Sequence, residues 1–157
     1  MPLNQVQSQL NPVITHGPDE TRELGKSLAA RMQPGDLLTL SGELGAGKTA
    51  FVQGLAEGLG VQEPANSPTF VLMIEHAGRF PLLHLDAYRL EGAPGETICY
   101  DALRDAGVLD FFDREDAVKV VEWPQRLVDV LPKPRFEIVI THGAEENERL
   151  IEIVDAK

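Results

Sequence analysis

The segment from Gly42 to Thr49 constrains this chain more than any other, because it matches the phosphate-loop pattern G-x-x-x-x-G-K-[ST]. The apolar run at 37–40 predicts a strand before it, and the apolar residues from Phe51 to Leu59 after it have helical spacing. A helix that begins after a glycine-rich turn presents free backbone N–H groups and a partial positive charge. The segment therefore predicts a strand–loop–helix unit that binds a nucleoside triphosphate.

The residue types of this loop predict separate chemical roles. Lys48 is expected to reach the β- and γ-phosphates, and the Thr49 hydroxyl is expected to bind Mg²⁺. Glycines let the backbone wrap closely around phosphate oxygens. The positions predicted to contact the nucleotide are Glu43, Leu44, Gly45, Ala46, Gly47, Lys48, Thr49 and Ala50.

Length, charge and cysteine content exclude several classes of protein. A chain of 157 residues predicts one domain, with residues 1–12 as a loose N-terminal tail. A net charge of -11 argues against a basic surface for nucleic acid or anionic membrane, and favours a protein partner. Cys99 has no second cysteine to pair with, and neither a signal peptide nor a membrane span is apparent. We therefore expect a cytoplasmic protein.

The remaining hydrophobic pattern predicts an α/β fold. A helix from Pro18 to about Gln33 precedes the phosphate loop, and a second one is predicted over Thr97–Leu109. Strands are predicted at 13–15, 70–74, 79–86, 118–122, 136–140 and 150–154. The expected architecture is a P-loop NTPase-like mixed sheet, parallel near the nucleotide with antiparallel hairpins, and with helices on both faces.

Two acids stand at the ends of apolar strands, where a phosphate-loop enzyme needs a carboxylate for Mg²⁺. Asp86 follows Leu82–Leu85, and Glu122 follows Val118–Val121. Each acid alone could also be an ordinary capping or surface residue, because acids often follow strands at turns. We expect at least one of them to serve the metal, and the sequence does not rank them.

Three further candidates are weaker. Thr69, between the phosphate-loop helix and the next strand, fits either a switch that senses the γ-phosphate or an ordinary strand threonine. The backbone around Glu20 and the side chain of Arg149 could approach the adenine and ribose. His84 lies within an apolar strand, which is more typical of a core histidine than of a general base.

Four motifs occur in an order that resembles a known family. They are G-E-L-G-A-G-K-T at 42–49, S-P-T-F at 67–70, H-L-D-A-Y-R-L at 84–90 and V-E-W-P at 121–124. Together they are similar to the bacterial TsaE (YjeE) family, over roughly residues 13–154. That resemblance implies an ATPase required for threonylcarbamoyladenosine formation in tRNA.

The resemblance also implies roles for particular residues. Lys48 becomes the phosphate-binding lysine, Thr49 a magnesium ligand and Thr69 a switch residue. Asp86 becomes a catalytic or metal-organising acid, and Glu122 an acid of the magnesium site with Trp123 beside it. The implied cofactors are ATP and Mg²⁺, and the implied partners are the proteins TsaD and TsaB, with tRNA reached only through that complex.

Other functions of phosphate-loop proteins compete with this interpretation. A small-molecule or nucleotide kinase normally carries an arginine-rich lid, whereas the arginines at 79, 89, 104 and 114 are scattered. A nucleotide-gated binding module without hydrolysis would share every motif described above. A regulatory GTPase is disfavoured, because neither NKxD nor DxxG occurs in the chain.

Overall fold

The computed structural model describes residues 8–9, 12–43, 45–62, 73–90 and 96–156. Its strands are β1 (Ser8–Gln9), β2 (Val13–Thr15), β3 (Leu37–Ser41), β4 (Met73–His76), β5 (Leu82–Asp86), β6 (Val118–Glu122), β7 (Phe136–His142) and β8 (Arg149–Asp155). Its helices are α1 (Pro18–Ala29), α2 (Lys48–Gly58), α3 (Tyr100–Asp105) and α4 (Val108–Phe112), with 3-10 turns at Ala87–Arg89 and Pro124–Leu127.

The strands of the described residues form one mixed sheet in the order β1-β8-β7-β3-β6-β5-β4, with β2 also paired to β8. The four central strands β7, β3, β6 and β5 are parallel. Antiparallel pairs flank them, β4 on β5 and β8 on β7. The predicted mixed sheet with antiparallel hairpins is thereby confirmed, and the carboxyl ends of β3, β5 and β6 lie at one edge.

Helices α1 and α2 cover one face of the sheet and pack against each other unusually closely. A Cβ placed on Gly54 would lie 1.8 Å from the Arg22 carbonyl oxygen, and one on Gly25 would lie 2.2 Å from the Phe51 carbonyl oxygen. Only glycine permits this approach of two backbones. The apolar side of α2, including Phe51 and Leu55, is thereby buried on the sheet.

Helices α3 and α4 cover the opposite face. Leu103 and Phe111 pack there with Leu85 and Val121, which point to the other side of the sheet from Val120. The prediction of helices on both faces is therefore confirmed. Strands β3, β5 and β6 are buried on both faces along most of their length, which explains why apolar residues predominate in their sequences, whereas β7 alternates buried and exposed residues.

Several predicted boundaries differ from the structure. The single helix over Thr97–Leu109 is wrong: α3 and α4 are separate, because Gly107 adopts φ +83° and interrupts the helix. Helix α1 ends at Ala29 instead of continuing to Gln33. The strand predicted from residue 79 begins at Leu82, and the first part of the strand predicted at 70–74 lies outside the described residues.

The N-terminal segment contributes to the sheet. Ser8 and Gln9, within the segment predicted to be a loose tail, pair with Asp155 and Val154 of β8.

No helix among the described residues is both long and apolar enough to cross a bilayer.

Candidate functional site

The phosphate loop connects the end of β3 to the start of α2, as predicted. Its glycines at 45 and 47 have φ +79° and +103°, a region that residues with a Cβ rarely adopt. A Cβ on Gly42 would lie 2.7 Å from the Ile140 carbonyl oxygen, so the loop also packs closely on β7. These glycines are therefore required by the shape of the loop.

Lys48 is the first residue of α2 and is only 7% exposed. Its Nζ donates a hydrogen bond to the Gly42 carbonyl oxygen at 2.8 Å and lies 4.0 Å from Glu122 Oε1. Burial lowers the pKa of Lys48, while the charges of Glu122 and Asp86 oppose that shift. A partly desolvated ammonium beside a helix N-terminus is a strong binding group for phosphate.

Glu122 ends β6 and is held on both sides of its carboxylate. One oxygen faces Lys48, and the other, Oε2, lies 2.6 Å from His84 Nε2. His84 Nδ1 is buried and has no hydrogen-bond partner among the described residues. A proton on Nε2 leaves only an acceptor lone pair unsatisfied at Nδ1, whereas the opposite tautomer would leave a buried N–H without a partner. His84 therefore donates to Glu122 in the more favourable arrangement.

Asp86 stands at the end of β5, directly opposite Glu122 in the parallel register. Its Oδ1 accepts a hydrogen bond from the Tyr88 backbone N–H at 3.0 Å, which caps the 3-10 turn that follows. Burial raises the pKa of Asp86 above its ordinary value, and the charge of Glu122 raises it further. The two strand-end acids predicted from sequence thus lie side by side next to Lys48.

Trp123 follows Glu122 with φ 59° and ψ 51°, the only non-glycine residue with positive φ in the described part of the chain. The left-handed region is unfavourable for a bulky side chain, and it is more so before Pro124. Its ring lies 4.5 Å from Lys48 Nζ and 5.0 Å from the Tyr88 ring. Strain of this kind persists where surrounding contacts impose it, and here those contacts belong to the site.

Arg126 is completely buried and fixes the segment that carries Asp86. Its Nη1 donates to the carbonyl oxygens of Ala87, Tyr88 and Leu90, and its Nε donates to that of Glu96. One guanidinium thereby holds the turn after β5 to the segment before α3. These bonds reach backbone carbonyls next to Asp86, so Arg126 supports the segment that carries the acid.

A cavity of about 430 Å³ opens beside the loop. It lies at the ends of β3, β6 and β7, and its lining combines an aromatic ring, an exposed acid, an amide and an imidazole. The lining residues are Gly42, Glu43, Trp123, Gln125, Ile140, Thr141 and His142. A mixed polar and aromatic pocket next to a phosphate loop is suited to a polar ligand group.

The other predicted nucleotide and metal residues lie around this centre. Thr49 is exposed at the start of α2 and Ala50 is partly buried behind it. Glu20 is exposed on the first turn of α1, next to Thr21, whose methyl group would lie 3.9 Å from a Cβ on Gly47. That turn therefore lies beside the phosphate loop.

Two predicted residues lie outside the described residues. They are Leu44 in the loop and Thr69, the proposed switch, and their roles remain predictions. No group of three or more His, Cys, Asp or Glu side chains in the described ranges forms a metal site. A magnesium ion held here would therefore need ligands besides protein acids, as Mg²⁺ bound with phosphates and water normally has.

Arg149, at the start of β8, lies against the outside of the loop. Its Nε donates to the Ala46 carbonyl oxygen at 3.0 Å and its Nη2 to that of Gly45 at 3.3 Å. The sequence predicted this arginine near adenine and ribose, but gave no sign of its bonds to the loop. His84 and Arg126 were not predicted as parts of the site either, because a lone histidine or arginine in an apolar context carries no local signal for its distant partner.

Comparison with known proteins identifies relatives along almost the whole chain. The family model described as "Threonylcarbamoyl adenosine biosynthesis protein TsaE" matches residues 15–151. A Bacillus subtilis protein named tRNA threonylcarbamoyladenosine biosynthesis protein TsaE is 40% identical over 137 residues, covering 87% of this chain and 80% of its own. The protein of that name from Streptomyces coelicolor is 45% identical over 122 residues, covering 76% and 77%.

A solved structure has a similar fold. The crystal structure of Bacillus subtilis YdiB matches this one with a TM-score of 0.74 and 34% sequence identity. The match covers 98% of this chain and 89% of that chain. The similarity thus extends along nearly the whole of this chain.

Proposed function

The chain belongs to the TsaE family, and on that premise we propose that it is a Mg²⁺-dependent ATPase that supports threonylcarbamoyladenosine modification of tRNA. The family is the one whose description names threonylcarbamoyl adenosine biosynthesis. The observation that carries the proposal of ATP chemistry is the arrangement of Lys48, Glu122 and Asp86 around one phosphate loop. A loop alone would support binding, whereas charged groups placed beside it support hydrolysis.

The residues present fit a magnesium ion. Thr49 offers an exposed hydroxyl at the helix start, and Asp86 and Glu122 offer carboxylates at adjacent strand ends. Oxygen ligands of this type are those that Mg²⁺ prefers. When bound, the ion would neutralise charge on the phosphates and polarise the bond to the leaving group.

Lys48 binds the phosphates in this proposal. Its ammonium has three N–H donors, and the described structure uses one for the Gly42 carbonyl oxygen. The exposed helix start next to it adds backbone N–H donors. Because Lys48 is largely buried, its charge is screened less by water and stabilises developing negative charge more strongly.

The acids orient the attacking water. Glu122 is fixed by His84 on one side and faces Lys48 on the other, so its carboxylate has a restricted direction. Asp86 lies opposite Glu122 at the end of the neighbouring strand, so the two carboxylates are placed on the same side of the loop. Positioning and electrostatics of this kind supply most of the catalysis in phosphoryl transfer.

Partner proteins complete the proposal. We propose that the chain acts on a complex of TsaD and TsaB, in keeping with the sequence resemblance, and that hydrolysis drives the cycle of that complex. A net charge of -11 favours contact with proteins over direct contact with tRNA. Intrinsic turnover is expected to be low and to rise with the partners present. Thr69 is proposed as the residue that senses the γ-phosphate.

The test is phosphate release from Mg²⁺-ATP by the purified chain, with and without a purified TsaD–TsaB complex. We expect stimulation by the complex, loss of release to background in Lys48→Ala, and severe reduction in Asp86→Ala and Glu122→Ala. ATP binding without release, even with the complex, would instead identify a nucleotide-gated binding module. Transfer of phosphate to a nucleoside, monophosphate or sugar would identify a kinase.

A further inference from the structure

Arg149 donates hydrogen bonds to four backbone carbonyl oxygens. Besides the carbonyl oxygens of Ala46 and Gly45, its Nη1 donates to those of Glu146 and Glu148 at 2.8 and 2.9 Å. One guanidinium therefore joins the phosphate loop to the turn between β7 and β8. The turn is itself closed by the Gly143 N–H, which donates to the Glu148 carbonyl oxygen.

The number of donors limits what else this side chain can bind. A guanidinium has five N–H groups. Four of them are used by the four carbonyl oxygens, which leaves a single Nη2 hydrogen. A bidentate contact with ribose hydroxyls would require breaking bonds that the structure already has.

The bond to Ala46 also determines the direction of a loop N–H group. In a planar trans peptide the carbonyl of one residue and the N–H of the next point in opposite directions. Holding the Ala46 oxygen toward Arg149 therefore turns the Gly47 N–H away from Arg149, to the inner side of the loop. An anion-binding loop needs this arrangement, in which backbone N–H groups point toward the bound anion and carbonyl groups point away from it.

The backbone on both sides of Ala46 is intrinsically flexible, so the bonds from Arg149 add to the other contacts that hold that orientation. Gly45 and Gly47 have no Cβ, and both have positive φ, so the backbone around Ala46 has many accessible conformations when it is not restrained. A planar, permanently charged fork restrains two successive carbonyls at once. Ala46 itself is completely buried, and its N–H donates to the Glu43 carbonyl oxygen.

We propose that Arg149 is a positioning residue that holds the phosphate loop in its anion-binding shape from the outside, instead of contacting the nucleoside. The inference rests on the proposed function, because it assigns the loop to the phosphates of ATP. It replaces the adenine and ribose role that the sequence suggested for this arginine. The β7–β8 hairpin thereby becomes a support of the phosphate site.

The test separates the phosphate part of the ligand from the nucleoside part. Affinities of Arg149→Gln and Arg149→Lys for Mg²⁺-ATP and for Mg²⁺-tripolyphosphate are measured by calorimetry. We expect Arg149→Gln to weaken both ligands by the same factor, about tenfold or more, because bonds from a charged donor are lost. Arg149→Lys should recover part of the loss, since one ammonium can still reach one carbonyl.

Arg135 provides a matched control. It directly precedes β7 of the same hairpin and is partly buried. It bonds to Asp155 and Asp36 at the end of the strands opposite the phosphate loop, where β3 and β7 begin. Arg135→Lys should lower the unfolding temperature while leaving both affinities unchanged. If it weakens binding as much as Arg149→Lys does, general loss of stability explains the effect and the proposal is overturned.

Two other results would also overturn it. Weaker ATP binding with unchanged tripolyphosphate binding would place Arg149 on the nucleoside. Unchanged binding of both ligands in a folded Arg149→Gln would remove any role in the loop. Failure of the proposed function is distinguishable, because the wild-type chain would then bind neither ligand or would release no phosphate.

Discussion

His84 Nε2 lies 2.6 Å from Glu122 Oε2, and the two residues are 1% and 4% exposed. They come from the neighbouring parallel strands β5 and β6, and both are almost completely shielded from solvent. A hydrogen bond to a carboxylate in such surroundings has a strong effect on the direction of that carboxylate. The imidazole is therefore the support of the acid that faces Lys48.

Removing this support should impair the proposed binding of Mg²⁺. In His84→Leu, Glu122 loses its donor, which costs about 1–3 kcal/mol for a buried charged group. We expect a higher Mg²⁺ concentration for half-maximal ATPase activity and a lower kcat. His84→Gln, whose amide nitrogen can reach a similar position, should restore most of both. An unchanged Mg²⁺ dependence in a folded His84→Leu would contradict the prediction.

The raised pKa of Asp86 predicts a pH-dependent cost in the nucleotide-free protein. Below its ordinary pKa of 3.8 the carboxyl group is protonated in both the folded and the unfolded chain, so no cost arises. As the pH rises above 3.8, the unfolded chain loses this proton more readily than the folded chain, in which the carboxyl group is buried. The free energy of unfolding therefore falls until the pH exceeds the raised folded pKa. Asp86→Asn keeps the acceptor for Tyr88 and does not titrate.

We therefore expect the stability of Asp86→Asn relative to wild type to increase as the pH rises above the ordinary aspartate pKa of 3.8. Urea unfolding without Mg²⁺ or nucleotide measures it. Asp110→Asn, at an exposed position on α4, serves as the control. Parallel stability curves for wild type and Asp86→Asn across this range would show that Asp86 is not destabilised by its surroundings.

Contact between α1 and α2 should tolerate no side chain at Gly54. A methyl group there would lie 1.8 Å from the Arg22 carbonyl oxygen, so the two helices must move apart. We expect Gly54→Ala to destabilise the protein by about 3 kcal/mol or more. Gly17→Ala is the matched control, because a Cβ there has no atom within 4 Å and the backbone is extended.

Only a small loss is expected for that control, less than about 1 kcal/mol, from exchanging glycine for alanine at a helix start. Chemical unfolding of both variants compares them directly. Equal stability of the two variants would contradict a close contact between α1 and α2 at Gly54.

The single tryptophan offers a direct signal of phosphate binding. Lys48 Nζ lies 4.5 Å from the centre of the Trp123 ring, close enough for a cation–π contact. When phosphates bind, the ammonium gains anionic partners and its interaction with the ring weakens. We expect the intensity of Trp123 fluorescence to change on titration with Mg²⁺-ATP, and to change far less in Lys48→Met.

Calorimetry on the same samples provides the reference for that titration. A fluorescence signal that stays constant while calorimetry reports saturation would show that Lys48 keeps its contact with Trp123 in the bound state.

Local patterns in the chain were sufficient to predict the phosphate loop, the strands around it and the acids at 86 and 122. Each of these depends on residues close in sequence: a glycine-rich turn before a helix, or an apolar run ending in an acid. Helix ends were predicted less well, as the interruption at Gly107 between α3 and α4 illustrates. A glycine within an apolar pattern does not reveal its own φ.

The sequence by itself determined that a glycine-rich loop with the phosphate-loop motif stands on a mixed α/β sheet, because hydrophobic period and loop motif are properties of adjacent residues. Only the tertiary structure decided that His84 holds Glu122, that Arg126 holds the turn after Asp86, and that Arg149 holds the phosphate loop. Those bonds join residues separated by 38, 39 and 103 positions. Parallel strand order and the β7–β8 hairpin bring them together, and the sequence near each residue contains no record of its partner.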